Sequence, residues 1–191
     1  MKIGLLFGSF NPIHVGHMVI ANYMLEFTDL ERLWIVVSPH NPLKEKKGLL
    51  ANNHRFALVQ EAIGDHPKMK ASKIEFNLPQ PSYTINTLTY LKEKHPKDEF
   101  VLIMGSDNLN TFHKWKNYES ILENYQLYIY PRPNEVGDDL KNHPNVKITE
   151  APLMDISSSF IREAIRNKKN VSHFMPEPVA RYVQEMNFYK K

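Results

Sequence analysis

Residues 2–17 have the sequence KIGLLFGSFNPIHVGH, which is typical of a strand, a tight turn and the start of a helix. The apolar run over residues 3–7 has the length of a buried strand and ends at Gly8. Turn-forming residues follow, and from Met18 to Phe27 apolar residues recur every three to four positions, as in a helix. The N–H groups of such a turn and the positive end of the helix face one point. The stretch therefore predicts an anion site at the end of a strand.

His14 and His17 lie three positions apart in this stretch, with Gly16 between them. If the helix has begun there, both imidazoles lie on one face and could contact a phosphate. Gly16 has no side chain and would allow a nucleotide to pack against the backbone. Two histidines at this spacing could also bind a metal or cap the helix, so the pair alone leaves these alternatives open.

The complete string G-S-F-N-P-I-H-x-G-H resembles the signature of the nucleotidyltransferase superfamily, G-[TS]-F-[DN]-P-x-H-x-G-H. The resemblance implies transfer of a nucleotidyl group from a nucleoside triphosphate, with His14 and His17 on the triphosphate. It also implies ATP contacts in the turn and at the helix start, at Gly8, Ser9, Phe10 and Gly16. Asn11 stands where the commoner bacterial opening, GGTFDP, has Asp, so a negative charge near the phosphates is absent.

Composition limits the class of protein. The chain has 191 residues, 42% of them hydrophobic, which fits one domain spanning residues 1–191. A net charge of +3 is too small to indicate nucleic acid as a partner, and the absence of cysteine excludes disulfides and thiolate metal sites. No apolar run reaches membrane-spanning length and no signal peptide is visible. We expect a cytoplasmic location, with a homo-oligomer left open.

The segment SPHNPLKEKKG, residues 38–48, follows a second buried strand, LWIVV, over residues 33–37. A run of charge is usually a solvated surface loop. This one follows the carboxyl end of a strand, where open parallel sheets bind ligands. The family resemblance implies a loop lysine on the phosphates. We take Lys44 as the catalytic lysine, and Lys46 is the alternative.

A helix is predicted over residues 52–63, a strand over residues 71–76 and a second helix from Ser82 to residue 94. Ser82 is expected to cap the second helix, and Asn52 or Asn53 the first. Arg55 is expected to form an ion pair on the surface.

The string SYTINTL, from Ser82, resembles SYT[IV][DN]TL of the nicotinate-nucleotide adenylyltransferases. That resemblance implies contact between the nicotinate carboxylate of the acceptor and Tyr83 and Thr84. A helix N-terminus with a threonine hydroxyl suits a carboxylate better than a neutral amide.

A third buried strand, FVLIM over residues 100–104, is followed by Gly105 and Asp107. Gly105 allows a ligand to approach closely, and Asp107 could accept from a ribose hydroxyl or cap a helix. The spacing GSDxLxxFxxWxxY again resembles the nicotinate family, which implies that Trp115 stacks on the pyridine ring. Lys116 is expected to be solvated. Arg132, after a strand over residues 126–130, would lie beside the adenine or cover the sheet end.

Residues 156–162, ISSSFIR, precede an apolar helical pattern and predict a second helix N-terminus rich in donors. The string resembles the second signature of the superfamily, which implies that Ser157, Ser158 and Arg162 hold the triphosphate. A strand is predicted over residues 146–149, and the tail over residues 176–189 is predicted to be a helix whose role is packing.

Strands alternate with helices throughout, which predicts an α/β fold: a Rossmann-like, doubly wound, mostly parallel sheet. The reaction that the resemblance implies is adenylyl transfer from ATP to nicotinate mononucleotide. No carboxylate cage is evident, so Mg²⁺ would arrive bound to ATP and no metal ligand is assigned in the protein. The alternatives are a related transferase that uses phosphopantetheine or nicotinamide mononucleotide, and a nucleotide-binding regulator without activity.

Overall fold

A computed structural model describes residues 1–39, 48–133 and 139–190, and in this part of the chain six strands form one sheet. The strands are β1 (Lys2–Gly8), β2 (Arg32–Val37), β3 (Met69–Ser72), β4 (Glu99–Gly105), β5 (Gln126–Tyr130) and β6 (Val146–Ile148). Their order is β3-β2-β1-β4-β5-β6, and every neighbouring pair is parallel. The chain forms β2 and β3 on one side of β1 and then crosses to form β4, β5 and β6 on the other side. This doubly wound topology confirms the predicted fold class and opens a cleft at the carboxyl ends of β1 and β4.

Helices cover both faces of the sheet. They are α1 (Val15–Phe27), α2 (Asn52–Ile63), α3 (Thr84–Lys94), α4 (Ser106–Leu109), α5 (Tyr118–Asn124), α6 (Ser158–Arg166) and α7 (Glu177–Glu185). Along β2, Leu33 and Ile35 pack into one core, whereas Trp34 and Val36 pack into the core on the opposite face. Because side chains alternate along a strand and both faces are covered, the central strands appear in the sequence as continuous apolar runs.

Some predicted boundaries are wrong. The strand predicted over residues 71–76 is β3, which ends at Ser72, and residues 74–77 form a 3₁₀ turn instead. The tail helix α7 ends at Glu185 rather than at residue 189. Further 3₁₀ turns occur at Phe112–Lys114, Asp139–Asn142 and Ser172–Phe174. No helix in the described residues is long and apolar enough to span a membrane.

The expected helix caps are also wrong. Ala51 precedes α2 and Tyr83 precedes α3, and neither helix start has a side-chain cap among the described residues. Asn52 instead accepts from Arg55, and the Ser82 hydroxyl instead donates to Gln80 at 3.1 Å. Both polar side chains are therefore engaged by neighbours that the local sequence pattern does not reveal.

Candidate active site

The loop between β1 and α1 brings the two predicted histidines together. His14 has an extended backbone and immediately precedes α1, whereas His17 lies in the first turn of that helix. Their rings nevertheless stack, with centroids 3.7 Å apart, and the His14 backbone N–H donates to His17 Nδ1 at 3.2 Å. A Cβ atom on Gly16 would lie 3.1 Å from His14 Nδ1. The missing side chain of Gly16 therefore makes room for the His14 ring over the helix start.

His14 is electrically neutral at pH 7 in the free protein. Only 4% of its surface is exposed, and burial together with the nearby Arg132 guanidinium lowers its pKa to about 4. Its Nδ1 atom is buried without a hydrogen-bond partner among the described residues. An unpartnered buried polar atom of this kind is costly, and His14 lies in the wall of a cleft.

Phe10 and Gly8 shape the same loop. Phe10 has φ of 46°, a left-handed conformation that is rare for a bulky residue. Its ring is buried, packs edge-on against His17 with centroids 5.0 Å apart, and would lie 2.8 Å from a Cβ atom on Gly8. Gly8 thus accommodates the Phe10 ring, and the Phe10 side chain supports His17 from the core side.

The start of α6 meets this loop, as the two signatures predicted. Ser157 caps the helix, because its hydroxyl accepts from the Phe160 N–H at 3.1 Å. Ser158 Oγ donates to the Pro12 carbonyl and Arg162 Nη1 donates to the Asn11 carbonyl, each at 2.8 Å. These bonds join residues 146 and 151 positions apart in the sequence. The two helix starts therefore form one wall of a shared cleft.

This cleft has a volume of about 320 Å³. Its lining includes most of the predicted ATP-site residues: Gly8, Ser9, Phe10, His14, Gly16, His17, Asp107, Arg132, Ser157, Ser158 and Arg162. Lys44 and Lys46 lie outside the described residues. No group of three or more His, Cys, Asp or Glu side chains that could hold a metal ion occurs in residues 1–39, 48–133 and 139–190.

The ends of β4 and β5 supply the far wall. Gly105 precedes α4, and a Cβ atom on it would collide with the Asp107 carboxylate and lie 2.9 Å from Arg132 Cγ. Asp107 lies in the first turn of α4 and is not its cap. Arg132 donates through its backbone N–H to Ser106 Oγ and through Nη1 to the Met154 carbonyl, each at 2.9 Å. Gly105 thus leaves room for the Asp107 carboxylate and the aliphatic stem of Arg132.

A second cavity of about 310 Å³ continues from the first. Both cavities are lined by Leu6, Phe7, Gly8, Ser9, Asn108 and Tyr130, so they form one continuous cleft. The second cavity contains the three predicted acceptor residues, Tyr83, Thr84 and Trp115. The Trp115 indole packs at a tilt on Phe112, and its Nε1 is buried without a partner among the described residues. Lys116, expected to be solvated, places its Nζ 4.5 Å from the centre of the Tyr83 ring.

Arg55 was predicted wrongly as a surface residue. It is fully buried and donates to the carbonyls of Ser9, Ser38, Pro39 and Leu50 and to Asn52 Oδ1, at 2.6–3.1 Å. Helix α2 packs where β1 and β2 end, and the carbonyl groups there need donors that their own strands no longer supply. Burial lowers the pKa of Arg55 to about 10, which leaves it charged at neutral pH. The role of Arg55 in binding these carbonyls is visible only in the three-dimensional structure, where the ends of β1 and β2 lie beside α2.

Three hydrogen bonds of the Asn11 side chain were not predicted from the sequence. Asn11 Nδ2 donates to the Gly48 carbonyl at 2.9 Å, and its Oδ1 accepts from the Leu50 N–H at 3.2 Å. The same oxygen accepts from the Tyr189 hydroxyl at 2.9 Å. The chain's last residues were expected only to pack, yet Tyr189 fixes the loop that carries the histidines.

Comparison with known proteins agrees with this geometry. A sequence model of the cytidylyltransferase-like family matches residues 5–164. A protein of Flavobacterium psychrophilum, named as a probable nicotinate-nucleotide adenylyltransferase, is 56% identical over all of both chains. A protein of Christiangramia forsetii with the same name is 53% identical over 99% of this chain and 98% of its own.

Solved structures show the same fold at low sequence identity. The Plasmodium falciparum nicotinic acid mononucleotide adenylyltransferase in complex with NaAD superimposes with a TM-score of 0.81 at 20% identity, covering 98% of this chain and 97% of that one. The same enzyme in complex with APC gives a TM-score of 0.80 at 19% identity, covering 98% and 96%. From the extent of the family match and the identity to full-length relatives, the chain belongs to the nicotinate-nucleotide adenylyltransferase family.

Proposed function

We propose that this chain transfers the adenylyl group of ATP to nicotinate mononucleotide, forming nicotinate adenine dinucleotide and pyrophosphate. The observation that carries the proposal is the continuous cleft, in which two helix starts and a histidine pair adjoin a cavity with a tryptophan and a third helix start. The names of the relatives support this choice of substrates. The whole chain would act as one domain. The cytoplasmic location and the possible homo-oligomer remain predictions.

The triphosphate end would be held by the paired helix starts. His14, His17 and Arg162 would contact the phosphates, with Ser157 and Ser158 donating from the start of α6. Donors fixed before the reaction stabilise charge as it develops on the leaving pyrophosphate. An anion beside His14 would raise its low pKa, so binding of ATP would favour the protonated ring. Lys44, which follows β2 in the sequence, would add a further positive charge.

The nucleoside of ATP would lie against the ends of β4 and β5. Asp107 would accept hydrogen bonds from the ribose hydroxyls, and the guanidinium of Arg132 would lie beside the adenine. Backbone N–H groups would also contact ATP, and the backbone would allow the nucleotide to pack closely, at Gly8, Ser9, Phe10, Gly16 and Gly105. The α-phosphate would then point toward the second cavity, where the acceptor is expected.

The acceptor would be oriented by its two chemically distinct ends. The nicotinate carboxylate would face the N-terminus of α3 at Tyr83 and Thr84, a helix start without a side-chain cap among the residues that the structure describes. The indole of Trp115 would stack on the pyridinium ring, a cation–π contact of about 1–2 kcal/mol when desolvated. The phosphate of the acceptor would remain free to attack the α-phosphate of ATP.

The chemistry needs no strong general base. The attacking phosphate has a second pKa of about 6 and is mostly ionised at pH 7. Direct in-line displacement, without a covalent intermediate, would follow from alignment of the two nucleotides. Mg²⁺ would enter bound to the phosphates of ATP and would neutralise part of their charge.

Pyrophosphate release from ATP tests this proposal when each candidate acceptor is supplied in turn. We expect release with nicotinate mononucleotide, much less with nicotinamide mononucleotide and none with phosphopantetheine. Equal rates with the nicotinate and nicotinamide forms would contradict the role given to the N-terminus of α3. ATP binding without pyrophosphate release with any acceptor would instead indicate a nucleotide-binding regulator.

A further inference from the structure

Glu75 is a buried carboxyl group in the wall of the second cavity, and the proposed mechanism gives it no role. It lies in the 3₁₀ turn over residues 74–77 and only 2% of its surface is exposed. Its Oε1 accepts a hydrogen bond of 2.7 Å from the hydroxyl of Thr87. Its Oε2 is buried and has no hydrogen-bond partner among the described residues. A buried carboxyl oxygen without a partner is costly, so this atom requires an explanation.

Glu75 has no ion-pair partner among the described residues, although Lys114 and Lys116 line the same cavity. The other polar and titratable residues that line its cavity are Ser9, Ser38, Ser82, Tyr83, Thr84, Asn108, Lys114, Trp115, Lys116 and Tyr130. Burial raises the pKa of Glu75, while the hydrogen bond from Thr87 and the nearby hydroxyl of Ser38 oppose that rise. The free protein therefore holds this carboxyl closer to protonation than an exposed glutamate.

The acceptor would shift that balance further. Nicotinate mononucleotide carries a carboxylate and a phosphate, and the cavity that would receive them is the one that Glu75 lines. An ionised Glu75 would be repelled by these anions, whereas a protonated Glu75 could donate its O–H to an oxygen of the ligand. The protonated form thus removes a repulsion and supplies the missing hydrogen bond at the same time.

Resting on the proposed function, we propose that Glu75 is a further acceptor-binding residue, which takes up a proton when nicotinate mononucleotide binds and donates through Oε2 to an oxygen of that ligand. The sign of the pH dependence follows from proton uptake. The acceptor binds best where Glu75 is protonated, and its affinity falls as pH rises through the pKa of Glu75 in the complex. Between the pKa values of the free and bound states, the dissociation constant should rise by up to about tenfold per pH unit.

The test is calorimetric titration of nicotinate mononucleotide into the wild type and the Glu75→Gln variant, across a pH series and without ATP. Glutamine mimics the protonated side chain and cannot titrate. The phosphate of the ligand titrates identically in both experiments, so the ratio of the wild-type to the variant dissociation constant isolates Glu75. We expect this ratio to rise with pH. Glu61→Gln, on the exposed face of α2, is the matched control. The ratio of the wild-type dissociation constant to that of Glu61→Gln should be one at every pH.

A second variant guards against loss of folding in the first. Thr87→Val removes the hydroxyl that favours the ionised carboxyl at nearly constant volume, so acceptor binding should persist to higher pH than in the wild type. A pH-independent ratio in Glu75→Gln, or no shift in Thr87→Val, would overturn the inference. Weaker binding by Glu75→Gln at every pH would show instead that the ionised carboxylate accepts a hydrogen bond. These results leave the proposed function intact if the wild type still releases pyrophosphate, whereas a wild type that does not bind the acceptor refutes both proposals.

Discussion

Replacing Arg55 by methionine should destabilise the protein far more than any surface substitution. The guanidinium donates five hydrogen bonds, four of them to backbone carbonyls at the ends of β1 and β2 and near Leu50. Methionine keeps much of the volume and removes every donor. The carbonyls of Ser9, Ser38 and Pro39 would then each lose a charged donor.

The magnitude follows from two opposing effects. The pKa falls from 12.5 to about 10, which means that burial disfavours the charged form by roughly 3 kcal/mol. Hydrogen bonds from a charged donor contribute about 1.5–3 kcal/mol each, so five of them exceed that penalty. Removing one partner of a buried charged network typically costs about 3–5 kcal/mol, and we expect Arg55→Met to fall in this range.

Equilibrium unfolding in urea at pH 7, followed by far-ultraviolet circular dichroism, measures this loss. With a slope of about 2–3 kcal/mol per molar, the midpoint should fall by roughly 1–2 M. Arg181→Met, on the exposed side of α7, is the matched control and should change the free energy of unfolding by less than about 0.5 kcal/mol. If Arg55→Met lies within 1 kcal/mol of the wild type, the five hydrogen bonds do not stabilise the strand ends and the reasoning fails.

Three further predictions concern the cleft. His17→Ala should lower kcat by about 100-fold or more while the free energy of unfolding stays nearly unchanged, because a fixed donor to the phosphates is lost; a variant that does not fold would indicate a core histidine instead. Trp115→Ala should raise the dissociation constant of the acceptor about 5- to 30-fold and leave that of ATP unchanged; titration with each ligand checks this, and equal losses would count against stacking. The pKa of His14 is about 4 in the folded protein and 6.5 in the unfolded chain. As pH falls from 6.5 to 4, the unfolded chain therefore binds a proton that the folded protein does not, and the free energy of unfolding decreases. Urea unfolding at pH 7 and pH 4.5 should therefore show about 2–3 kcal/mol less acid destabilisation in His14→Gln than in the wild type, and equal acid sensitivity would refute a neutral buried His14.

The sheet was predictable because its strands are buried on both faces and therefore appear as unbroken apolar runs, as in Leu33–Val37. The meeting of His14 and His17 with Ser158 and Arg162 was predictable for another reason. Parallel strands bring the loops at their carboxyl ends to one edge, so segments far apart in sequence share a cleft.

Residues whose partners are backbone atoms of distant segments could not be predicted. Arg55 lies in an ordinary helical pattern, and nothing local indicates that its guanidinium bonds to the carbonyls of Ser9 and Ser38. Asn52 and Ser82 are good caps by residue type, but hydrogen bonds to the neighbouring side chains of Arg55 and Gln80 engage them instead. Glu75 belongs to a segment that was predicted as a strand, so its burial beside the second cavity was hidden as well.

The bond between Tyr189 and Asn11 has a consequence for biosynthesis. The hydrogen bond spans 178 positions, so a ribosome would release the histidine loop long before it makes the tyrosine that holds it. At about 5–20 residues per second, the interval is roughly 10 to 35 s. A nascent chain would thus carry an incompletely fixed histidine loop until Tyr189 emerges from the exit tunnel.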